Sequence, residues 1–206
     1  MGWYSRAVLP SLLDWVMAAD VFTEQRRSLL ARASGRILEI GFGTGLNVPH
    51  YSPERVTHLV GIDINPGTSA LAERRIAAAG FPIERQISNG ENLPFRDRSF
   101  DCVVSTWTLC SIRRLDRALA EIYRVLQSGG SFLFIEHGLS PRASVRVWQH
   151  RLTPVQQALV DGCHLNRNIS AEIAKHDWEI DPLDCFSLQN LPELVGYTYR
   201  GSACKP

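Results

Sequence analysis

Arg36-Ile-Leu-Glu-Ile-Gly-Phe-Gly-Thr-Gly-Leu-Asn47 is the stretch from which the fold is read. Residues 36–40 read as a short buried strand, and Gly41, Gly43 and Gly45 follow where the backbone turns tightly and a Cβ would intrude on a ligand. A dinucleotide fingerprint places glycine at the sixth position of G-x-G-x-x-G, but here that position is Leu46 and the third glycine comes one residue early. Glu39 stands two residues before the first glycine. Its carboxylate would repel a pyrophosphate and attract the ammonium of a bound amino acid. A glycine loop taken alone also allows a plain strand-to-helix turn with no ligand.

Leu59-Val-Gly-Ile-Asp63 reads as a second buried strand, its carboxylate eighteen residues beyond Gly45, a spacing that suits a β-α-β unit. At the tip of such a strand a carboxylate can accept both hydroxyls of a ribose. Asn65-Pro66 suits the start of a helix over 66–79 closed by Gly80, and Asn65 in the capping role leaves Asp63 for the ligand. Phe81–Ile87, Cys102–Thr106 and Ser131–Glu136 are the next strands, with an amphipathic helix over Leu115–Leu126. If all run parallel, Ser105, Thr106 and Trp107 reach the sheet edge that carries Gly41 and Asp63. Leu9, Leu12, Leu13, Val16 and Met17, then Phe22 and Leu29-Leu30, predict one or two helices ahead of the first strand, with Trp3 and Tyr4 either lid residues or merely packed.

The chain of 206 residues makes one domain with enough apolar residues for a sizeable core. Its 22 basic and 21 acidic residues leave a formal charge of +1, which gives no global field to collect nucleic acid or an anionic membrane. Five cysteines with no C-x-x-C support neither a zinc site nor a disulfide framework, so reduced thiols, a cytoplasmic location and no metal are expected. Val8–Val21 is fairly apolar but broken by Asp14 and Asp20, and no membrane span is expected from it.

Glu39-x-Gly-x-Gly-x-Gly45, Asp63, Glu91–Phe95, Phe100-Asp101 and Arg124–Gly130, in that order, resemble the class I S-adenosylmethionine (SAM) methyltransferases. The resemblance implies a Rossmann-like, doubly wound α/β fold. Its seven-stranded sheet would have order 3-2-1-4-5-7-6, with the last strand antiparallel and the last two strands at 178–183 and 191–200. It also implies N-terminal lid helices (1–34), a cofactor-binding core (35–137) and a substrate-side segment (138–206). SAM is the implied cofactor and S-adenosylhomocysteine its product. The implied cofactor residues are Glu39, Gly41, Gly43, Gly45, Asn47, Asp63, Ile64, Asn89, Gly90, Glu91 and Thr106. Where the family usually has Asp-Ala-Glu, this chain has Asn89-Gly90-Glu91, and Asn89 can still accept a hydrogen bond from an adenine amino group.

Trp107–Ile112, Glu136-His-Gly138, Trp148-Gln149 and Asp161–Arg167 further resemble the animal thiol methyltransferases and their bacterial relatives. The hydrophobic N-terminal anchor of the animal proteins is not expected in this chain. That branch implies in-line transfer to a small thiol. Transfer to nitrogen or oxygen of a phospholipid head group or natural-product intermediate, and SAM binding without turnover, are the alternatives. His137 and Asp161 are then candidate catalytic groups acting by position, and Trp107, Cys110, Trp148, His164 and Arg167 candidate substrate contacts. Each has a structural reading as well: His137 as a satisfied core histidine, Asp161 and Arg167 as an ion pair or turn cap, and Cys110 and Cys163 as small buried packers. A helix over 141–159 carries Arg142, Arg146 and His150 on one face, either a solvated face or an anion-binding one. Ser105-Thr-Trp-Thr108 is unlike the Asn-Pro-Pro-Tyr type of tetrapeptide, which argues against nucleic acid as acceptor.

Overall fold

Alternation along the first strand sets the two layers of the molecule. In the computed structural model, which describes Tyr4 and residues 7–206, β1 (Gly35–Ile40) pairs in parallel with β2 (Val56–Asp63) on one side and β4 (Phe100–Thr106) on the other. Leu38 and Ile40 face one layer, where they meet Leu119 and Ile122 of α4 (Leu115–Val125). Ile37 faces the opposite layer, with Leu29, Leu30 and Ala72. Successive strand side chains point to opposite faces, so a strand buried on both reads as the near-continuous apolar run seen here. On α4, Leu115, Ala118, Leu119, Ile122 and Val125 form the buried stripe at helical spacing.

The remaining elements follow in chain order. Helices α1 (Leu9–Met17) and α2 (Asp20–Leu30) precede the sheet, α3 (Ser69–Ala77) links β2 to β3 (Ile83–Ile87), and α4 links β4 to β5 (Leu126–His137). Then come α5 (Ala143–Leu159), α6 (Ile169–Ile173), β6 (Glu179–Ile180), β7 (Asp184–Ser187), α7 (Glu193–Gly196) and β8 (Tyr197–Cys204). The strand order is β3-β2-β1-β4-β5-β8-β6, with β7 also on β8, and β8 runs antiparallel to β5. This is the expected doubly wound topology with its antiparallel last strand.

Three local expectations need correction. Among the described residues the sheet has eight strands: the one predicted at 178–183 shrinks to β6, which pairs with Ala203 and Cys204 of β8, and the unpredicted β7 beyond it pairs with Tyr197–Arg200. Pro182 lies at the break, where a residue without an N–H cannot continue a ladder. The last strand starts at Tyr197, not Leu191, since Pro192 caps the short α7 in its place. Gly80 is not a C-cap: α3 ends at Ala77, and its cap Ala78 keeps right-handed backbone angles. Trp3 lies outside the described residues. Among the described residues, no helix is long and apolar enough to cross a membrane.

Candidate functional site

A cavity of about 580 Å³ opens where the C-terminal ends of β1, β2 and β4 meet, the place where open parallel sheets take ligands. Fourteen of the sequence-predicted site residues border it: Glu39, Gly41, Gly43, Asn47, Asp63, Ile64, Asn89, Gly90, Glu91, Thr106, Trp107, Cys110, His137 and Asp161.

Glu39 is the penultimate residue of β1 and is almost fully buried. Its Oε1 accepts from Asn47 Nδ2 at 3.0 Å and its Oε2 from Tyr51 Oη at 2.7 Å, while the same Asn47 nitrogen reaches Thr106 Oγ1 at 3.0 Å. The carboxyl thus ties the glycine loop to the tip of β4. Burial pushes Glu39 from an ordinary 4.5 to about 7, against the Tyr51 and Asn47 hydrogen bonds and the Arg26 charge. Between these pH values the unfolded chain gives up the proton first, so stability falls as pH rises from about 4.5 to about 7, by roughly 3 kcal/mol in all. Glu39→Gln is expected to remove that dependence. Urea unfolding at pH 5 and pH 8 measures it, and parallel profiles for the two proteins would contradict the assignment.

Gly41 and Gly43 adopt left-handed backbone angles, with φ of 76° and 53°. A Cβ on Gly41 would collide with the Thr108 side chain, whereas one on Gly43 would meet nothing nearer than Gly41 O at 3.8 Å and Asp63 Oδ2 at 3.9 Å. The loop therefore leaves an open strip beside Asp63. That carboxylate is not reserved for a ligand as expected: Oδ2 accepts from Gly43 N at 2.8 Å and Oδ1 from Asn65 N at 2.7 Å. Each oxygen retains a further lone pair. Burial raises the Asp63 pKa, against these two backbone donors. On the neighbouring segment Asn89 Oδ1 accepts from Glu91 N at 2.9 Å, an Asx turn that holds Gly90 at the cavity wall.

The opposite wall is the turn after β4. Trp107 has φ of 51°, a costly conformation for a bulky residue. Its N–H donates to Ile135 O at 2.7 Å, Phe22 meets its ring edge-on, and the Arg26 guanidinium lies 4.9 Å from the ring centroid. What fixes the turn is Glu136, which is fully buried in β5. One oxygen accepts from Ser105 Oγ at 2.9 Å and from the N–H groups of Thr108 and Leu109 at 3.0 Å, and the other from Cys110 N at 3.4 Å.

Cys110, His137 and Cys163 also line the cavity. His137 Nε2 is 2.8 Å from Cys163 Sγ, and Cys163 Sγ is 3.7 Å from Cys110 Sγ. One ligand atom from each lies within 4.8 Å of the others, and all three side chains are buried. The ring Nδ1 of His137 is buried with no hydrogen-bond partner among the described residues. Burial works to lower the His137 pKa, and the Cys163 and Glu136 contacts outweigh it to give a net rise. The Cys163 thiol is pushed up by its contact with Cys110 and by burial.

Four predicted residues lie away from the cavity wall. Gly45 turns the loop behind it, with φ of 79°. Trp148 is exposed on α5 and borders a separate shallow depression with Arg142 and Glu193. His164 and Arg167 act on the turn from outside, through His164 N to Cys110 O at 2.9 Å and Arg167 Nη1 to Leu109 O. On the α5 face, Arg142 pairs with Glu193 and His150 Nδ1 meets Asn166 Nδ2 at 2.9 Å, so two of its three basic groups are already engaged.

Sequence reasoning missed Glu136, Tyr51 and Arg26, and it missed the latch over the roof. There Asp14 of α1 accepts from Arg75 Nη1 at 2.6 Å and Thr44 Oγ1 at 2.5 Å, which pins α1 to the glycine loop. Burial alone would raise the Asp14 pKa, and the Arg75 and Thr44 hydrogen bonds reverse it.

A family described as "Methyltransferase domain" matches residues 38–134. The thiol S-methyltransferase TMT1B of Rattus norvegicus is 38% identical over 148 residues, which cover 68% of this chain and 58% of that protein. The demethylmenaquinone methyltransferase of Symbiobacterium thermophilum is 33% identical over 134 residues, covering 60% of this chain and 53% of that one. The chain thus spans somewhat over half the length of these relatives. The crystal structure of the [4+2]-cyclase SpnF superimposes with a TM-score of 0.71 at 19% identity, covering 93% of this chain and 82% of the other, a likeness of fold alone.

Proposed function

The chain belongs to the class I SAM-dependent methyltransferases, and we propose that it transfers a methyl group from SAM to a small-molecule acceptor, a thiol being the favoured one. The observation that carries this is one cavity bordered both by a glycine loop with Asp63 and by a thiol–imidazole cluster.

The residues present fit the cofactor. The spare lone pairs of Asp63 suit two ribose hydroxyls, the open strip at Gly43 suits a close-lying chain, and Ile64, 54% exposed at the mouth, offers an apolar face to an adenine. When bound, SAM supplies an electrophilic methyl group on a sulfonium. The protein's share is to hold the acceptor in line and keep water out. An ordinary thiol has a pKa near 8.5, so a few per cent is already thiolate at neutral pH and a strong base is dispensable. His137 and Asp161, both at the wall, are the groups we assign to positioning and proton exchange there. Trp107 and Cys110 are the assigned acceptor contacts. Leu9, Leu13 and Met17 from the roof suit an apolar acceptor body.

Release of S-adenosylhomocysteine tests the reading, with an alkyl thiol, an aromatic thiol, a phenol and an ethanolamine head group as acceptors and Asp63→Ala as blank. Turnover confined to the thiols is expected. Turnover of the phenol or amine alone would overturn the thiol assignment, and no turnover of any acceptor would favour SAM binding without catalysis.

A further inference from the structure

We propose that Cys110, His137 and Cys163 form a three-ligand Zn²⁺ site whose fourth position faces the cavity. Each ligand comes from a different part of the chain. Cys110 is in the turn anchored on Glu136, His137 ends β5, and Cys163 follows α5 at the Asp161-Gly162 turn. They are 27 and 26 residues apart, so no spacing motif announces them.

Two thiolates on one tetrahedral zinc, each at about 2.3 Å, stand roughly 3.8 Å apart. The two sulfurs are already 3.7 Å apart. His137 Nε2, now 2.8 Å from Cys163 Sγ, needs to move by under about 1 Å to reach the corresponding separation of about 3.6 Å. Two thiolates and one neutral imidazole balance the charge of Zn²⁺, so the filled site is neutral in buried surroundings. Outer contacts hold the ligands in place: Gln156 Nε2 reaches Cys163 Sγ at 3.8 Å, and His164 N fixes the Cys110 carbonyl at 2.9 Å. All three ligands border the cavity, so the open coordination position points where an acceptor would lie. Three protein ligands with one position open is the pattern of a reactive rather than a structural zinc.

The role of that open position rests on the thiol reading above. With His137 engaged as a ligand, an acceptor thiol loses its proton to solvent by way of Asp161 at the cavity wall and binds the metal as thiolate. Its sulfur lone pair then forms the new bond to the methyl carbon as the methyl–sulfonium bond breaks. The electron pair of that bond stays on the cofactor sulfur, and the neutral thioether leaves the metal. No oxidant or reductant is needed.

The test uses the whole protein, reduced and freed of metal with a chelator, and Zn²⁺ or Co²⁺ as probe. One metal per chain is expected, and Co²⁺ should give the thiolate charge-transfer and intense ligand-field bands of a four-coordinate site. Cys110→Ser and Cys163→Ser should each weaken binding by roughly 100-fold or more, beyond what outer-shell partners alone cost, while Cys102→Ser leaves it unchanged. In the unaltered protein Zn²⁺ should protect Cys110 and Cys163 from alkylation, a readout that does not depend on a variant folding. Ethanethiol should shift the cobalt spectrum. Substoichiometric metal, or wild-type affinity in both serine variants, would overturn the site. Undiminished thiol methylation by chelated protein would overturn its role in turnover while leaving the acceptor reading intact. Stoichiometric metal with no thiol turnover would support the site and sink the acceptor reading instead.

Discussion

Asp63→Ala is expected to weaken SAM binding by roughly a hundred- to ten-thousandfold, the worth of two hydrogen bonds to a charged acceptor at about 1.5–3 kcal/mol each. The carboxylate closes β2 beside the glycine loop, with Gly43 N and Asn65 N already on its two oxygens. Removing it also frees those donors, so the loop loses its brace together with its ligand contact. Asp63→Asn separates the two effects: its one carbonyl oxygen can keep a single backbone donor, but its NH₂ cannot accept from a hydroxyl. Calorimetric titration with SAM, alongside thermal melts of both variants, makes the comparison. Unchanged affinity in Asp63→Ala would remove Asp63 from the ribose role.

The second large effect belongs to a residue that anchors a turn and contacts no ligand. Glu136→Ala should cost about 3–5 kcal/mol of stability, because it leaves the four donors of Ser105, Thr108, Leu109 and Cys110 without their acceptor, at roughly 1 kcal/mol or more each. At about 2–4 °C per kcal/mol for a chain of this size, the melting temperature should drop by on the order of 10 °C. Burial pushes the Glu136 carboxyl up, and the Leu109, Thr108 and Ser105 donors hold it back. Glu136→Gln keeps one acceptor oxygen and should lose about half as much. Equal stability of Glu136→Ala and the parent protein in urea unfolding would mean that the turn is held by other contacts.

The contrast between these residues shows which parts of the molecule the sequence made legible. Gly41, Gly43 and Asp63 were legible because their roles are local: the backbone angle or the strand tip is set within a few residues, and only certain side chains meet it. Glu136 was visible as a strand residue, but its four partners sit 26–31 positions away, and no periodicity encodes which side chain a turn will choose as anchor. Asp14 and Arg75 are 61 apart, and the Cys110–His137–Cys163 cluster likewise exists only once β4, β5 and α5 are packed. Trp148 shows the converse. The segment resemblance singled it out, but the helical phase of α5 turns it to solvent while Gln149, its neighbour, is buried on Gly138 O at 3.0 Å. Along the C-terminal part, the predicted strands held only at 179–180 and 197–200: Leu194 and Val195 lie in α7, and Pro182 and Pro192 interrupt the two apolar runs that were read as strands.

The latch over the glycine loop divides the cavity into parts of unequal mobility. The tips of β1, β2 and β4 cannot retreat without unzipping a parallel sheet. Helix α1, by contrast, buries only Leu9 and Pro10 of its nine residues and leaves Trp15 mostly exposed. Its side-chain ties to its surroundings are Asp14, held by Arg75 and Thr44, and the Met17 carbonyl, which accepts from Arg26 Nη1 at 2.6 Å. The least firmly packed wall of this chamber is therefore its helical roof, joined to the glycine loop through one carboxylate.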